Sequence, residues 1–297
     1  MIIRKFAAID IGSNALRLLI SNVIEQEDRP TAFKKSEIIR VPVRLGEDAF
    51  LRRWISERNA LRLTQTMQSF DLLMRVYGVE QYWACATSAL REAKNGKAVV
   101  QRVLADSGVE IDIINGEKEA SIIASTDLRE LLRNDTFYLY VDVGGGSTEL
   151  TIFDKGKLVG SQSFKIGTVR ILNNLVEDSV WDKIKAWIKA NVPEHGLVEI
   201  IGSGGNINKL HKMSGRKVGQ PLSYPWLKAE YQFLESMDYS QRILQLGLNQ
   251  DRADVIIPAT KIYLNAAKWS GAKKIHVPKI GLADGMIKML YSGKGGR

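Results

Sequence analysis

Cysteine and histidine are nearly missing from this chain of 297 residues: it has one of the first and three of the second. Cys85 has no partner for an intrachain disulfide, and its place inside the apolar run YWACA reads as a small buried hydrophobe rather than a nucleophile. His195, His211 and His276 are scattered without metal-ligand spacing and are expected in structural or surface roles. No apolar run approaches the roughly 20 residues of a spanning helix, which excludes a membrane partner. The opening MIIRKFAAID enters a strand pattern without a secretory stretch, so the cytoplasm is the expected compartment. Acidic residues are in deficit, 33 against 42 basic, for a net charge of +9, and such a balance favours polyanionic partners. Nucleic acid is not expected among them, because helix-turn-helix, zinc-finger and aromatic RNA-binding patterns are all missing. A phosphate-rich small substrate fits the charge equally well.

What is present is a phrase used twice. AIDIGSNALRLLI (Ala8 to Ile20) and YVDVGGGSTELTI (Tyr140 to Ile152) align without a gap, matching Asp10 to Asp142, Gly12 to Gly144, Ser13 to Gly145 and Asn14 to Gly146. Each copy reads as a strand ending in aspartate, a turn of small residues, and a returning strand. Such turns let backbone N–H groups converge on an anion, and the aspartate beside them can hold a metal ion. The duplication divides the chain into a first domain of residues 1–120 and a second of 121–297.

Strands alternate with helices along the rest of the chain, which places it in the α/β class. Thr31 to Val43 reads as a third strand, Arg44-Leu45-Gly46 as a turn, and Ser56 to Tyr77 as an amphipathic helix capped by Ser56 and stopped by Gly78. Its apolar positions are Leu61, Met67, Phe70, Leu73, Met74 and Tyr77. QYWACAT and Val109 to Asn115 read as strands, Ala98 to Ser107 as a helix, and NGEKEASIIASTDLRELL as a helix from near Gly116. Beyond the second copy, KLVGSQSFKIG extends the sheet, VEDSVWDKIKAWIKANV is helical, and GLVEIIGSGGNINKL is strand, glycine turn and helix. Met237 to Gly271 is mostly helical, AKKIHVPK a short strand, and GLADGMIKMLY a last helix. Trp83 and Trp187 are expected in the core.

Three glycine-rich turns thus follow strands: Gly12-Ser13-Asn14, Gly144 to Thr148, and Gly202 to Gly205. The third opens a helix, whose first N–H groups and dipole favour a phosphate. None has the glycine-lysine pair of a P-loop, and none completes the dinucleotide fingerprint.

DIGSN, TSALREA, INGEKEA and DVGGGSTEL, in that order and followed by IGSGGNINKL and DRADVI, resemble the exopolyphosphatase and guanosine-pentaphosphate phosphatase (Ppx/GppA) family over nearly the whole chain. That family belongs to the actin, sugar-kinase and heat-shock-chaperone ATPase superfamily. The resemblance implies two ribonuclease-H-like domains, each a mixed sheet flanked by helices, with the active site in the cleft between them. It implies an enzyme that hydrolyses terminal phosphoanhydride bonds of inorganic polyphosphate, or alternatively the 5′ phosphate of guanosine pentaphosphate; an ATPase or kinase of the superfamily is the more distant alternative.

By the same resemblance Glu119 is the catalytic carboxylate that activates water. Arg91 grips phosphoryl oxygens and offsets transition-state charge. Asp142 and Glu149 position magnesium or another divalent ion, with Asp10 sharing it, and Glu149 also orients the water. Gly12, Ser13, Asn14, Gly144, Gly145, Gly146, Ser147, Ser203, Gly204 and Gly205 contact phosphate. Lys118 stands where many members carry a second glutamate, and Arg17 falls opposite Glu149 in the repeat, to bind phosphate or to face solvent. Arg40, Arg44, Arg52, Arg53, Lys209, Lys212, Arg216 and Lys217 offer a basic track for a polymer. The chain resembles the short, two-domain members, which suggests a preference for shorter polymers and allows a homodimer.

Overall fold

A computed structural model describes residues 1–126, 132–133, 135–193 and 196–296. His195 and the expected helix beyond Thr126 as far as Leu131 lie outside the described residues. The chain forms two compact units, Met1–Thr126 with Leu282–Arg297, and Asp127–Gly281.

The first unit begins with an antiparallel meander of β1 (Ile2–Ile11), β2 (Leu16–Gln26) and β3 (Arg29–Val41). Helices α1 (Leu45–Arg52) and α2 (Glu57–Tyr77) lead to β4 (Gln81–Ala86); α3 (Ser88–Glu92) and α4 (Gly96–Ser107) lead to β5 (Asp112–Ile113); α5 (Gly116–Ala124) follows. The sheet order is β3-β2-β1-β4-β5, with β4 and β5 parallel to the central β1.

The second unit repeats the plan. Its meander is β6 (Phe137–Val143), β7 (Thr148–Asp154) and β8 (Lys157–Phe164), followed by α6 (Thr168–Leu172), α7 (Asp178–Asn191), β9 (Val198–Ser203) and α8 (Gly205–Met213). Then come β10 (Leu222–Ser223), α9 (Tyr224–Ser236), α10 (Tyr239–Leu244), α11 (Gln250–Ala253), α12 (Ile256–Ser270) and β11 (Lys274–His276). The order β8-β7-β6-β9-β11 matches the first sheet strand for strand, with β10 added at the edge. Both units therefore carry the mixed sheet and flanking helices of the ribonuclease-H-like plan. Central β1 and β6 are apolar and buried along their inner lengths because both faces are covered, as parallel neighbours require.

The last helix, α13 (Leu282–Tyr291), belongs to the first unit. Gly285 explains the intimacy of its packing on α5: a Cβ there would lie 2.1 Å from the Ile122 carbonyl oxygen. A contiguous division at 120/121 differs from this arrangement at both ends, since it cuts α5 and assigns α13 to the second half.

The amphipathic helix α2 is capped as its sequence suggests: the Ser56 side chain accepts from the Asn59 N–H, and Gly78 ends it at φ 67°. Leu61, however, is 45% exposed, and the buried stripe runs through Leu63, Met67, Phe70 and Met74 instead. The expected strand from Val109 to Asn115 shrinks to two residues, Asp112 and Ile113. Helix α1 replaces the expected turn at Arg44-Leu45-Gly46, and α9 lies in a stretch the sequence left unassigned.

Candidate functional site

The two copies of the repeat superpose in register as well as in sequence. Ile11 pairs with Leu16 and Val143 with Thr148, so each turn spans four residues, 12–15 and 144–147. Gly12 and Gly144 fill the same place for the same reason. A Cβ on Gly12 would meet the Ala15 carbonyl oxygen at 3.1 Å, and one on Gly144 would meet that of Ser147 at 3.0 Å.

Each turn is held from one side by the helix that follows the third strand of its meander. In the second unit the backbone N–H groups of Thr168 and Val169 donate to the carbonyls of Gly144 (3.0 Å) and Gly145 (2.9 Å), and Arg170 Nε donates to that of Gly146 (2.7 Å). No peptide bond among the described residues is cis, so turning these three carbonyls toward α6 turns the N–H groups of Gly145, Gly146 and Ser147 the opposite way. The result is a concave row of donors suited to an anion. The first unit does the same with Gly46 N–H on Ser13 O (2.7 Å) and Arg44 N–H on Asn14 O (3.0 Å), which aims the N–H groups of Asn14 and Ala15 away from α1.

Gly46, Gly167 and Arg170 are functional positions that sequence reasoning missed. A Cβ on Gly167 would sit 2.4 Å from the Gly145 carbonyl, and one on Gly46 2.9 Å from Ser13 Cβ. The available signal was a glycine a few residues after the third strand of each meander.

The remaining residues of the first half-site gather at the carboxyl ends of β1, β4 and β5, where α/β sheets bind ligands. Ser13 Oγ lies 2.9 Å from Ser88 Oγ, joining the turn to the start of α3. Arg91, on α3, donates from Nη1 to the Ile114 carbonyl at 2.6 Å. The next residue, Asn115, caps α5 by accepting from the Lys118 N–H at 2.8 Å. Glu119 follows in the first turns of α5, buried at 8% exposure. Lys118 points elsewhere, with Nζ 5.7 Å from the Trp83 ring centre.

Asp10 behaves differently from its repeat mate. It is directly paired with Arg17 on β2, whose Nη1 donates to Asp10 Oδ2 at 3.0 Å. Burial raises the Asp10 carboxyl above its ordinary range, and the Arg17 charge and hydrogen bond oppose that rise. Arg17 is therefore an ion-pair partner within the sheet, and Asp10 is committed to it. In the second unit the same rungs hold two carboxylates, Asp142 opposite Glu149, with Ser163 Oγ donating to Glu149 Oε1 at 2.9 Å. No group of three or more His, Cys, Asp or Glu side chains arranged to hold a metal occurs among the described residues.

The third glycine turn ends β9. Gly204 has φ 111°, a region open to glycine, and its Cβ would lie 3.1 Å from the Val143 carbonyl oxygen and 3.5 Å from Asp142 Oδ1. Ser203 Oγ donates to the Ile280 carbonyl at 3.0 Å. Asp142, Gly144 to Ser147 and Ser203 to Gly205 thus converge within the second unit.

Other expected residues take structural roles. Cys85 is fully buried, and burial pushes its thiol up, with nearby Asp112, Asp10 and Glu119 adding to the rise. His211 hydrogen-bonds the Gln220 carbonyl, and His276 the Glu199 carboxylate. Trp83 is buried, and Trp187 packs on the second core. Of the basic track, Arg44 is paired with Glu47, while burial and then the charges of Lys212 and Arg252 push the Lys209 ammonium down, which groups three cations in the second unit.

A duplicated ribonuclease-H-like fold with a glycine anion turn at equivalent places in each half defines a phosphate-handling protein of the two-domain class. Residues 31–292 match the Ppx/GppA phosphatase family, and the chain belongs to it. It is 35% identical, over 63% of its length, to a bifunctional 3-dehydroquinate synthase/phosphatase of Fusobacterium nucleatum, of whose length it spans 30%. It is 22% identical to exopolyphosphatase 1 of Mycobacterium tuberculosis, with 95% of this chain and 87% of that one covered. Its fold matches the crystal structure of an exopolyphosphatase from Cytophaga hutchinsonii at a TM-score of 0.87 and 23% identity, over 98% of this chain and 99% of that one.

Proposed function

We propose that this protein is an exopolyphosphatase, releasing orthophosphate from the ends of inorganic polyphosphate. The observation that carries the reading is the turn Gly144 to Ser147, where the carbonyls of Gly144, Gly145 and Gly146 are engaged on the α6 side and the N–H groups of Gly145, Gly146 and Ser147 are left turned the other way, toward the phosphate in this reading. Family membership supplies the reaction class.

In this reading Glu119 orients a water and accepts its proton as the water oxygen bonds to the terminal phosphorus. The bridging P–O bond breaks, and the shortened chain leaves on that oxygen. Arg91, steadied by the Ile114 carbonyl beside the start of the Glu119 helix, offsets the charge that develops on the phosphoryl oxygens. Gly12 to Asn14, Gly144 to Ser147 and Ser203 to Gly205 supply phosphate contacts.

The opposed carboxylates Asp142 and Glu149 are oxygen donors of the kind magnesium or another hard divalent ion takes. These two would hold the ion, which when bound neutralises phosphoryl charge. Asp10, the third candidate for that ion, already pairs through Oδ2 with Arg17.

The substrate is a soluble polyanion met in the cytoplasm; neither nucleic acid nor a membrane is a partner. Hydrolysis of guanosine pentaphosphate uses the same groups with a different leaving group. Phosphate release from polyphosphate, guanosine pentaphosphate and ATP, measured side by side with magnesium, tests the proposal. Turnover of polyphosphate ahead of the other two is expected, and ATP turnover without polyphosphate hydrolysis would overturn it. Sedimentation of the purified protein tests the homodimer.

A further inference from the structure

Tyr263 lies in the middle of α12 and is wholly buried in the apolar core of the second unit. A phenol in such surroundings needs hydrogen-bond partners, or phenylalanine would serve better. Its hydroxyl donates to the Ser203 carbonyl and accepts from the backbone N–H of Val143, with the Val141 carbonyl oxygen 3.5 Å away. It therefore touches the residues on both sides of Asp142 in β6 and the residue before Gly204 in β9.

Those contacts fall where geometry is tightest. Asp142 and Ser203 are direct partners across β6 and β9. A Cβ on Gly204 would be 3.1 Å from the Val143 carbonyl oxygen, 3.5 Å from Asp142 Oδ1 and 3.8 Å from the Tyr263 hydroxyl, so three groups meet around one glycine. Because the Ser203 carbonyl turns inward to Tyr263, the Gly204 N–H of the same trans peptide turns away from the core.

We propose that Tyr263 is a positioning residue of the phosphate site: its hydroxyl ties the ends of β6 and β9 together and thereby sets Asp142 and the Gly204 N–H for a phosphate and its cation. The inference rests on the phosphohydrolase reading above. It assigns Tyr263 no contact with the reacting atoms.

Tyr263→Phe removes one oxygen and tests this. The variant is expected to melt cooperatively, to lose about 10- to 100-fold in kcat/KM on polyphosphate, and to need more magnesium for half-maximal rate, as when an outer partner of a metal ligand is lost. Tyr138→Phe, which removes a buried hydroxyl from the same strand away from the site, is the control, with rate and magnesium dependence unchanged. Wild-type rate and magnesium dependence in Tyr263→Phe, or an equal loss in Tyr138→Phe, would overturn the proposal.

If Tyr263→Phe does not fold, Gly204→Ala displaces the same peptide from its other side and is expected to raise the magnesium requirement; an unchanged requirement sinks the idea. A wild-type protein that releases no phosphate refutes the phosphohydrolase reading alone. Calorimetric titration of magnesium in the presence of orthophosphate then still decides on Tyr263: weaker binding in the Phe variant supports the role, and equal binding refutes it.

Discussion

The role proposed for Glu119 contrasts with the structural one of Glu199. Glu119 is buried in the first turns of α5, and Glu119→Gln keeps its volume while removing the proton acceptor proposed for the reaction. A fall in kcat of about 10²- to 10⁴-fold, with KM and melting temperature nearly unchanged, is expected from steady-state assays. Glu199 is buried in β9, where burial would raise its carboxyl but hydrogen bonds and charge from His276 (2.6 Å) and Lys274 (3.1 Å) pull it below its ordinary value. A depressed carboxyl stabilises the fold above its unfolded value near 4.5, and that contribution is lost as pH falls through the lower folded value. Glu199→Gln is therefore expected to cost about 2 kcal/mol at neutral pH and less as the pH falls below 4.5, read by urea unfolding across pH. Arg17 and Asp10 make the same point about context: their repeat mates are Glu149 and Asp142, and one exchange of sign replaces two facing carboxylates with an internal ion pair.

At the level of elements, the anion turns depend on short helices that hold them from behind. Helix α6 has five residues and α1 eight, too few for a clear apolar period, and their glycines read as turn residues. Their role comes from position, since each donates backbone N–H groups to the carbonyls of its turn. Gly167→Ala should push α6 off Gly145, because the Cβ would stand 2.4 Å from that backbone. We expect a loss of about 1–3 kcal/mol in denaturant unfolding together with weaker phosphate binding by calorimetry. An unchanged phosphate affinity would show that α6 does not shape the turn.

For the whole molecule, α13 and net charge carry the consequences. Leu282, Met286, Ile287, Met289 and Leu290 are buried in the first unit, and their removal withdraws on the order of 10 kcal/mol of burial, comparable with the entire stability of a domain. Deleting Leu282–Arg297 is thus expected to open the first unit to limited proteolysis while the second, complete without α13, stays resistant. The net charge of +9 and the Lys209, Lys212 and Arg252 group favour long anions, so KM for polyphosphate should climb several-fold from low to 0.5 M salt, with kcat nearly constant. A salt-independent KM would remove the polymer track from the account.

The duplicated phrase, the strand-turn-strand of each copy and the register of Gly12 with Gly144 were legible in the chain itself, because turn geometry and strand alternation are local and leave a local pattern. So were the cap of α2 and the burial of Cys85. The return of α13 to the first unit, the pairing of Arg17 with Asp10, and the convergence of Tyr263 on Asp142 and Ser203 were decided by tertiary structure alone. Each joins residues distant in sequence or on separate strands, and which polar groups share a low-dielectric interior depends on packing that no single segment encodes. The chain spelled out two matching glycine turns; the folded sheets decided that Asp10 beside the first would pair with Arg17 and that Asp142 beside the second would face Glu149.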